Sequence, residues 1–317
     1  MKYIELVKGL FTNKHEDRAK QADPYVSYSI EANRLMFNLI LAPVESSANN
    51  TIWYTSSDDN VVTPYSSSRF GANVVSNTYE NGKGAITFDG DVTCIGEEAF
   101  PACSTLTSIT IPNRVESIEN DAFKGFSSLT SVTINSDAVV SKVYSTSSNI
   151  SKIFGSQVTE YIIGDSVNSI GDFVFFRCSS LTSVIIGSNV INIGLGSLAN
   201  CKSLASINVE ESNPNYGSIE GVLFNKDKTI LIQCPSGKPG AYTLPNSVTR
   251  IDAAAFAYCS SLTSVVIPNG VTSVGECAFQ DCDNLTSINI PNIVTNIENS
   301  VFYGCWNLNM VTYDGTK

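Results

Sequence analysis

Long apolar runs are the first thing this 317-residue sequence lacks. No stretch approaches the roughly 18 to 20 consecutive apolar residues that a membrane-spanning helix needs. The most apolar candidate, Leu35 to Val44, is short and contains Asn38 and Pro43, so no membrane span is expected. From Met1 to Gln21, the residues Lys2, Glu5, Lys8, Lys14, His15, Glu16, Asp17 and Arg18 interrupt every apolar group. The continuous apolar centre of a secretory signal is therefore missing too, which leaves export by another route or no signal at all. Basic residues are scarce: 19 Lys and Arg against 30 Asp and Glu give a net charge of −11. Nucleic acid and anionic membrane surfaces, which bind through clustered cations, are excluded as expected partners, and the charge is read as solubility.

The residues of common catalytic and metal sites are equally thin. His15 is the single histidine and sits in a polar stretch, so a Ser-His-Asp or Cys-His site would have to recruit it from far away. No C-x-x-C pair occurs, and Cys277 to Cys282 is C-x4-C with no histidine nearby, which argues against structural zinc. No G-x-x-x-x-G-K-[ST] loop is present. The acid pairs Glu97–Glu98 and Asp58–Asp59 match no EF-hand loop and read as solvated turns. No catalytic residue, metal or cofactor is expected, and the chain reads as a protein without enzymatic activity.

What is present is a folded composition, 43% hydrophobic and 15% charged, organised as a repeat. A 23-residue unit begins at Val92, Val115, Val167, Val190, Val248, Val271 and Val294, as in VTRIDAAAFAYCSSLTSVVIPNG from Val248. Its fourth position holds Ile95, Ile118, Ile170, Ile193, Ile251, Val274 and Ile297. Its ninth holds Phe100, Phe123, Phe175, Leu198, Phe256, Phe279 and Phe302, and its fifteenth is always Leu. Aliphatics follow the Leu at three and five places, Tyr313 excepted, and Pro-Asn then ends the run in several copies, the signature of a short strand closed by a turn. One such strand cannot bury its own apolar side chains. Stacked units convert each column into a continuous buried ladder, so the sequence predicts a solenoid of short parallel strands and loops.

Two intervals are longer. The 52 residues from Val115 to Ser166 divide into a normal unit and a degenerate one of 29, with EYIIGDS (Glu160 to Ser166) in the strand slot. The 58 from Val190 to Ser247 divide into 23 and 35. In the latter, Gly221 to Pro235 reads as a hairpin about Asn225 to Lys228, and Ala241 to Ser247 restores the strand slot, so the solenoid is expected to run unbroken. Ahead of the repeats, Ile4, Val7, Leu10 and Phe11 follow helical spacing, and Val26 to Leu41 alternates like a hairpin. The Ser/Asn/Asp-rich stretch from Glu45 to Asn60 reads as a connection. At the other end, Trp306 and Tyr313 are expected to form an aromatic lid; the alternatives are a weakly covered end or self-association of the chain through it.

The repeat residues resemble the BspA-like leucine-rich repeat family, whose units look like VTSIGEYAF-x-x-C-SSLTSITIPNS, over roughly Gly84 to the C-terminus. Asn213 to Ser247 resembles a long unit found in such proteins, and Ile52 to Phe88 resembles what precedes their first unit, read here as a cap. The resemblance implies a right-handed leucine-rich-repeat superhelix over 84–317, with residues 1–83 as a small amino-terminal α+β module and cap. It also implies extracellular or cell-surface adhesion through a protein or glycan ligand, such as a host matrix protein. A second reading is a virion or prophage-particle component that attaches to a host and is anchored by residues 1–83.

Two columns bear on function. Cys103, Cys178, Cys201, Cys259, Cys282 and Cys305, six of nine cysteines, share the twelfth position, with Phe126 in the remaining copy. That register reads as a buried packing column. Neighbouring coils about 4.8 Å apart leave disulfides open as an alternative. In the strand slot, positions seventeen and nineteen should face outward. The candidate ligand-binding face is therefore Ser108, Thr110, Ser131, Thr133, Ser183, Ser206, Asn208, Ser264, Ser287 and Asn289, small and rich in hydroxyls; strand exposure alone would account for it equally well.

Overall fold

The structure, a computed structural model, describes residues 49–313 apart from 101, 102, 121 and 124. The helix and hairpin expected before residue 45 lie outside the described residues. The chain opens with a three-stranded cap: β1 (Thr51–Ser56), β2 (Val74–Glu80) and β3 (Lys83–Phe88). The expectation of a plain connection from Glu45 to Asn60 is corrected here. Ile52, Tyr54 and Ser56 alternate inward along β1, and that period of two makes a strand despite the polar residues around it. β1 lies antiparallel between β3 and the first repeat strand, β4 (Leu106–Ile111). The cap thus supplies the first coil with the hydrogen-bonding edge that a preceding coil would otherwise provide.

Beyond β4 the strands are parallel and advance one coil at a time: β5 (Ser131–Ile134), β6 (Glu160–Ile163), β7 (Ser183–Ile186) and β8 (Ser206–Val209). Registers are exact across the coils, so Ser108, Ser131, Glu160, Ser183 and Ser206 stand in one row. The fourth-position residues form a second wall of two-residue strands, such as Ser169–Ile170 paired with Asn192–Ile193. Between the walls, the ninth-position side chains stack; Phe256 and Phe279 lie 4.8 Å apart at 8°. Such contacts, repeated coil after coil, are the solenoid's core.

The third side of each coil is an arc of tight turns. Positions seven and eleven adopt left-handed backbone angles, as at Phe173 and Arg177, Ala254 and Tyr258, and Cys277 and Asp281. In that geometry alternate N–H groups point along the solenoid. Phe173, Phe175 and Arg177 donate to the Leu195, Ser197 and Ala199 carbonyls of the next coil at 3.1, 2.8 and 3.2 Å. The 29-residue unit replaces the arc with two single turns, α1 (Asp137–Val140) and α2 (Ser151–Phe154). Asp137 ties α1 to the following coil by accepting the Asn168 and Ser169 N–H groups.

The solenoid runs on through the 35-residue unit as expected, but its strand wall is interrupted there. The hairpin about Asn225 to Lys228 forms as read, from β10 (Val222–Asn225) and β11 (Ile230–Gln233), with the Asn225 carboxamide oxygen accepting the Thr229 and Ile230 N–H groups. An additional strand, β9 (Tyr216–Ile219), pairs with β10 and lies beside β8. It occupies the place where the next parallel strand would pair. The wall therefore restarts as a separate sheet: β12 (Gly240–Thr243), β13 (Leu262–Val266), β14 (Ser287–Ile290) and β15 (Met310–Tyr313). β11 instead joins the opposite wall, pairing with Arg250–Ile251. The buried side chains divide likewise into two clusters, with Leu223 in the first and its neighbours Val222 and Phe224 in the second. The aromatic lid at the last coil is also corrected: Trp306 is 83% exposed, and Met310, Val311 and Tyr313 are all more than half exposed.

Candidate binding face

Outward positions on the strand wall fall where the alternation puts them. In β4 to β8 the fifteenth, eighteenth and twentieth positions are buried, except for half-buried Val209, while positions seventeen and nineteen are half exposed. Ser108, Ser131, Ser183 and Ser206 thus share one row, and Thr110, Thr133 and Asn208 share the next. Ser264, Ser287 and Asn289 do not join them. They stand on the second sheet, beyond the β9–β10 insertion, as a separate shorter face. There Thr312 donates to the Asn289 carboxamide oxygen at 2.7 Å.

The centre of the first face lies outside the residues that the repeat pattern singles out. Glu160 fills the seventeenth position of the degenerate unit, between Ser131 and Ser183. The Ser131 hydroxyl donates to Glu160 Oε2 at 3.0 Å and the Ser183 hydroxyl donates to Oε1 at 3.1 Å. One carboxylate is thereby held flat across three strands, while its neighbours in the other outward row, Ile162 and Ile185, are apolar. At the cap end, Thr55 extends the row, its Oγ1 lying 2.6 Å from the Ser108 hydroxyl oxygen and 2.7 Å from that of Thr107. The position-sixteen threonines are structural: Thr159 and Thr182 donate to the preceding coil's Thr130 and Thr159 carbonyls at 3.2 and 2.9 Å. These hydroxyls stitch neighbouring coils together and leave the position-seventeen row as the available one.

The cysteine column runs inside the molecule. All nine cysteines among the described residues are free, and Cys178, Cys201, Cys259 and Cys282 are buried. Several thiols of the column reach back one coil. Cys201 donates to the Phe175 carbonyl at 2.9 Å, Cys282 to Phe256 at 3.1 Å and Cys305 to Phe279 at 2.9 Å. The column is the packing feature that its register suggested, with a hydrogen bond added. Among the described residues no cluster of three or more His, Cys, Asp or Glu side chains is arranged to hold a metal ion, and no helix is long and apolar enough to cross a membrane.

A family model described as a BspA type leucine rich repeat region matches in 6 copies, over residues 74–162, 152–237 and 240–316. No curated protein matches the sequence. Among solved structures, a leucine-rich repeat protein from Eubacterium ventriosum is 28% identical, with a TM-score of 0.49 over 71% of this chain and 58% of its own. The present chain thus spans less than two thirds of that relative's length. The pneumococcal vaccine antigen PcpA is 19% identical, with a TM-score of 0.46 over 79% of this chain and 74% of its own. A leucine rich cell surface protein from Faecalibacterium prausnitzii is 25% identical, with a TM-score of 0.32 over 76% and 86%.

Proposed function

Because the chain belongs to the BspA-type leucine-rich repeat family, we propose that it is a non-enzymatic binding protein that offers the serine face of its first sheet to an extended protein or glycan at a cell exterior. The row Ser108, Ser131, Glu160, Ser183 and Ser206 carries this reading. Stacked repeats give a linear partner a surface it can follow over many contacts. Each hydroxyl can donate or accept, which suits the amides of a peptide or the hydroxyls of a sugar. Glu160 adds one fixed negative charge whose oxygens have lone pairs to spare beyond the two serine hydrogen bonds. A partner that brings N–H, O–H or cationic groups to the middle of the row therefore fits best. The surface location and the choice of matrix protein or glycan follow from the family and belong to the proposal.

The test is an array of matrix proteins, glycans and cells probed with the full chain, beside a variant carrying Ser183→Arg and Ser206→Arg. Both side chains project outward, so the coil stack should survive the change and the circular dichroism should be unaltered. Binding should fall at least about tenfold, since blocked central contacts usually dominate an interface. Undiminished binding by a folded variant would remove this face from consideration.

A further inference from the structure

Arc-to-arc N–H pairing is kept by some coils and not by others: the Glu98, Phe100, Gly196 and Leu198 N–H groups, in the coils from Val92 and Val190, make no such bond among the described residues. In the coils that begin at Val167, Val248 and Val271, the N–H groups at positions seven, nine and eleven donate to the next coil's carbonyls. The coil from Val115 meets α2 and the segment 155–157 instead, which bring no such carbonyls. Phe123 and Gly125, at its positions nine and eleven, have N–H groups that donate to no partner among the described residues. Gly125 has a φ of 85°, the left-handed turn that Arg177 and Tyr258 adopt at the same position. A Cβ built there would meet nothing within 4 Å.

Where the next coil's carbonyls would stand there is an open cleft of about 390 Å³. Phe123, Phe126 and Ile153 form its apolar floor, and Lys152, Ser127 and Gln157 its polar rim. Ser151, Gly155 and Ser156 separate it from a small void of about 20 Å³, which Tyr161 lines. The Tyr161 ring is buried and its hydroxyl has no hydrogen-bond partner. Such a void has room for about one water molecule. Amides that project from alternating turns form concavities that attract anions.

We propose that this cleft is a docking site for an oxyanion, a carboxylate or phosphate group, held by the Phe123 and Gly125 amides with Lys152 at the rim. The apolar floor receives the carbon skeleton that carries the anion, and a water in the void links the Tyr161 hydroxyl to the Ser151–Ser156 wall. The site shares no residue with the serine face, so it stands whether or not that face binds a partner.

Amide NMR of the full chain, titrated with sodium acetate and separately with inorganic phosphate at constant ionic strength, tests the proposal. The Phe123 and Gly125 amide signals should move and saturate. Lys152→Glu should weaken the response about threefold to tenfold, the range expected from losing one charge-assisted contact. Saturation with acetate alone identifies a carboxylate-bearing ligand and with phosphate alone a phosphate-bearing one, while both together identify a general oxyanion site. Signals at these two amides that stay still, that drift without saturating, or that respond equally in Lys152→Glu would overturn it.

Discussion

Burial sets the chemistry of each cysteine in the twelfth-position column. Loss of solvent pushes the Cys178 thiol up to about 12 from an ordinary value near 9, and it raises Cys201 and Cys259 well above the usual thiol range. Cys305 goes the other way: the neighbouring Cys282 side chain favours its thiolate, and it is only partly buried. Because the thiolate is the reactive form, iodoacetamide at pH 8 should modify Cys305 first among the column cysteines. Cys178, Cys201 and Cys259 should stay unmodified until the chain unfolds, and rapid native labelling of Cys201, read by peptide mass spectrometry, would contradict this. The same shifts give a pH dependence. A thiol whose folded pKa is raised contributes stability that is fully present below pH 9 and is lost as pH climbs from there. For Cys178 the loss runs to about pH 12, at about 1.4 kcal/mol per pH unit. Urea midpoints should therefore fall between pH 9 and 11 in the native chain and fall less in Cys178→Ala.

Within a coil, the strand and the arc impose different demands, and only one of them is written plainly in the sequence. Strand columns are legible because burial alternates with a period of two, and the regular coils, Tyr313 excepted, repeat the same Leu, aliphatic, aliphatic spacing. The arc's left-handed positions are harder to read, since they are occupied by Phe173, Arg177, Ala254 and Tyr258 rather than by glycine. The coil-to-coil hydrogen bonds hold these residues in a conformation that costs roughly 1 to 2 kcal/mol each. A β-branched side chain tolerates it least. Ala254→Val should accordingly destabilise the chain by about 1 to 3 kcal/mol, measured by urea denaturation, whereas a neutral outcome would mean that the arc is not held as described. The place of Glu160 is hard to read in the sequence for a related reason. The 29-residue unit lacks the usual arc and cysteine, so its EYII strand carries no flanking columns to show that Glu160 stands in the serine row. Pairing of β6 with β5 and β7 supplies that alignment directly. Glu160→Gln should leave stability within about 1 kcal/mol, since an exposed carboxylate and its serine partners contribute modestly. If the proposed face is the binding surface, the same change should still weaken the partner.

At the scale of the whole molecule, the decisive feature is the interruption by β9 and β10. The 35-residue unit shows its hairpin in sequence, with Asn225 at the turn, but nothing in it tells which wall each strand will join. That choice depends on the edges that neighbouring coils leave open, and it divides the strand wall and the core into two parts meeting at Val222, Leu223 and Phe224. In a one-dimensional stack, stability is a sum of coil terms and nearest-neighbour interfaces, so a weak interface separates cooperative units. Phe279 lies in the middle of the second cluster, stacked 4.8 Å from Phe256 and 5.6 Å from Phe302. Phe279→Ala should remove about 3 to 5 kcal/mol from that half. In hydrogen exchange over a urea series, the amides of β13 and β14 should then lose protection at lower urea than those of β4 to β8, which should keep the protection they show in the unaltered chain. The seam predicts where the boundary falls: amides before β9 behave with the first half, and amides after β11 with the second. Simultaneous loss of protection along the whole chain would mean that Leu223 and its neighbours couple the two cores tightly enough for the interrupted wall to act as one cooperative solenoid.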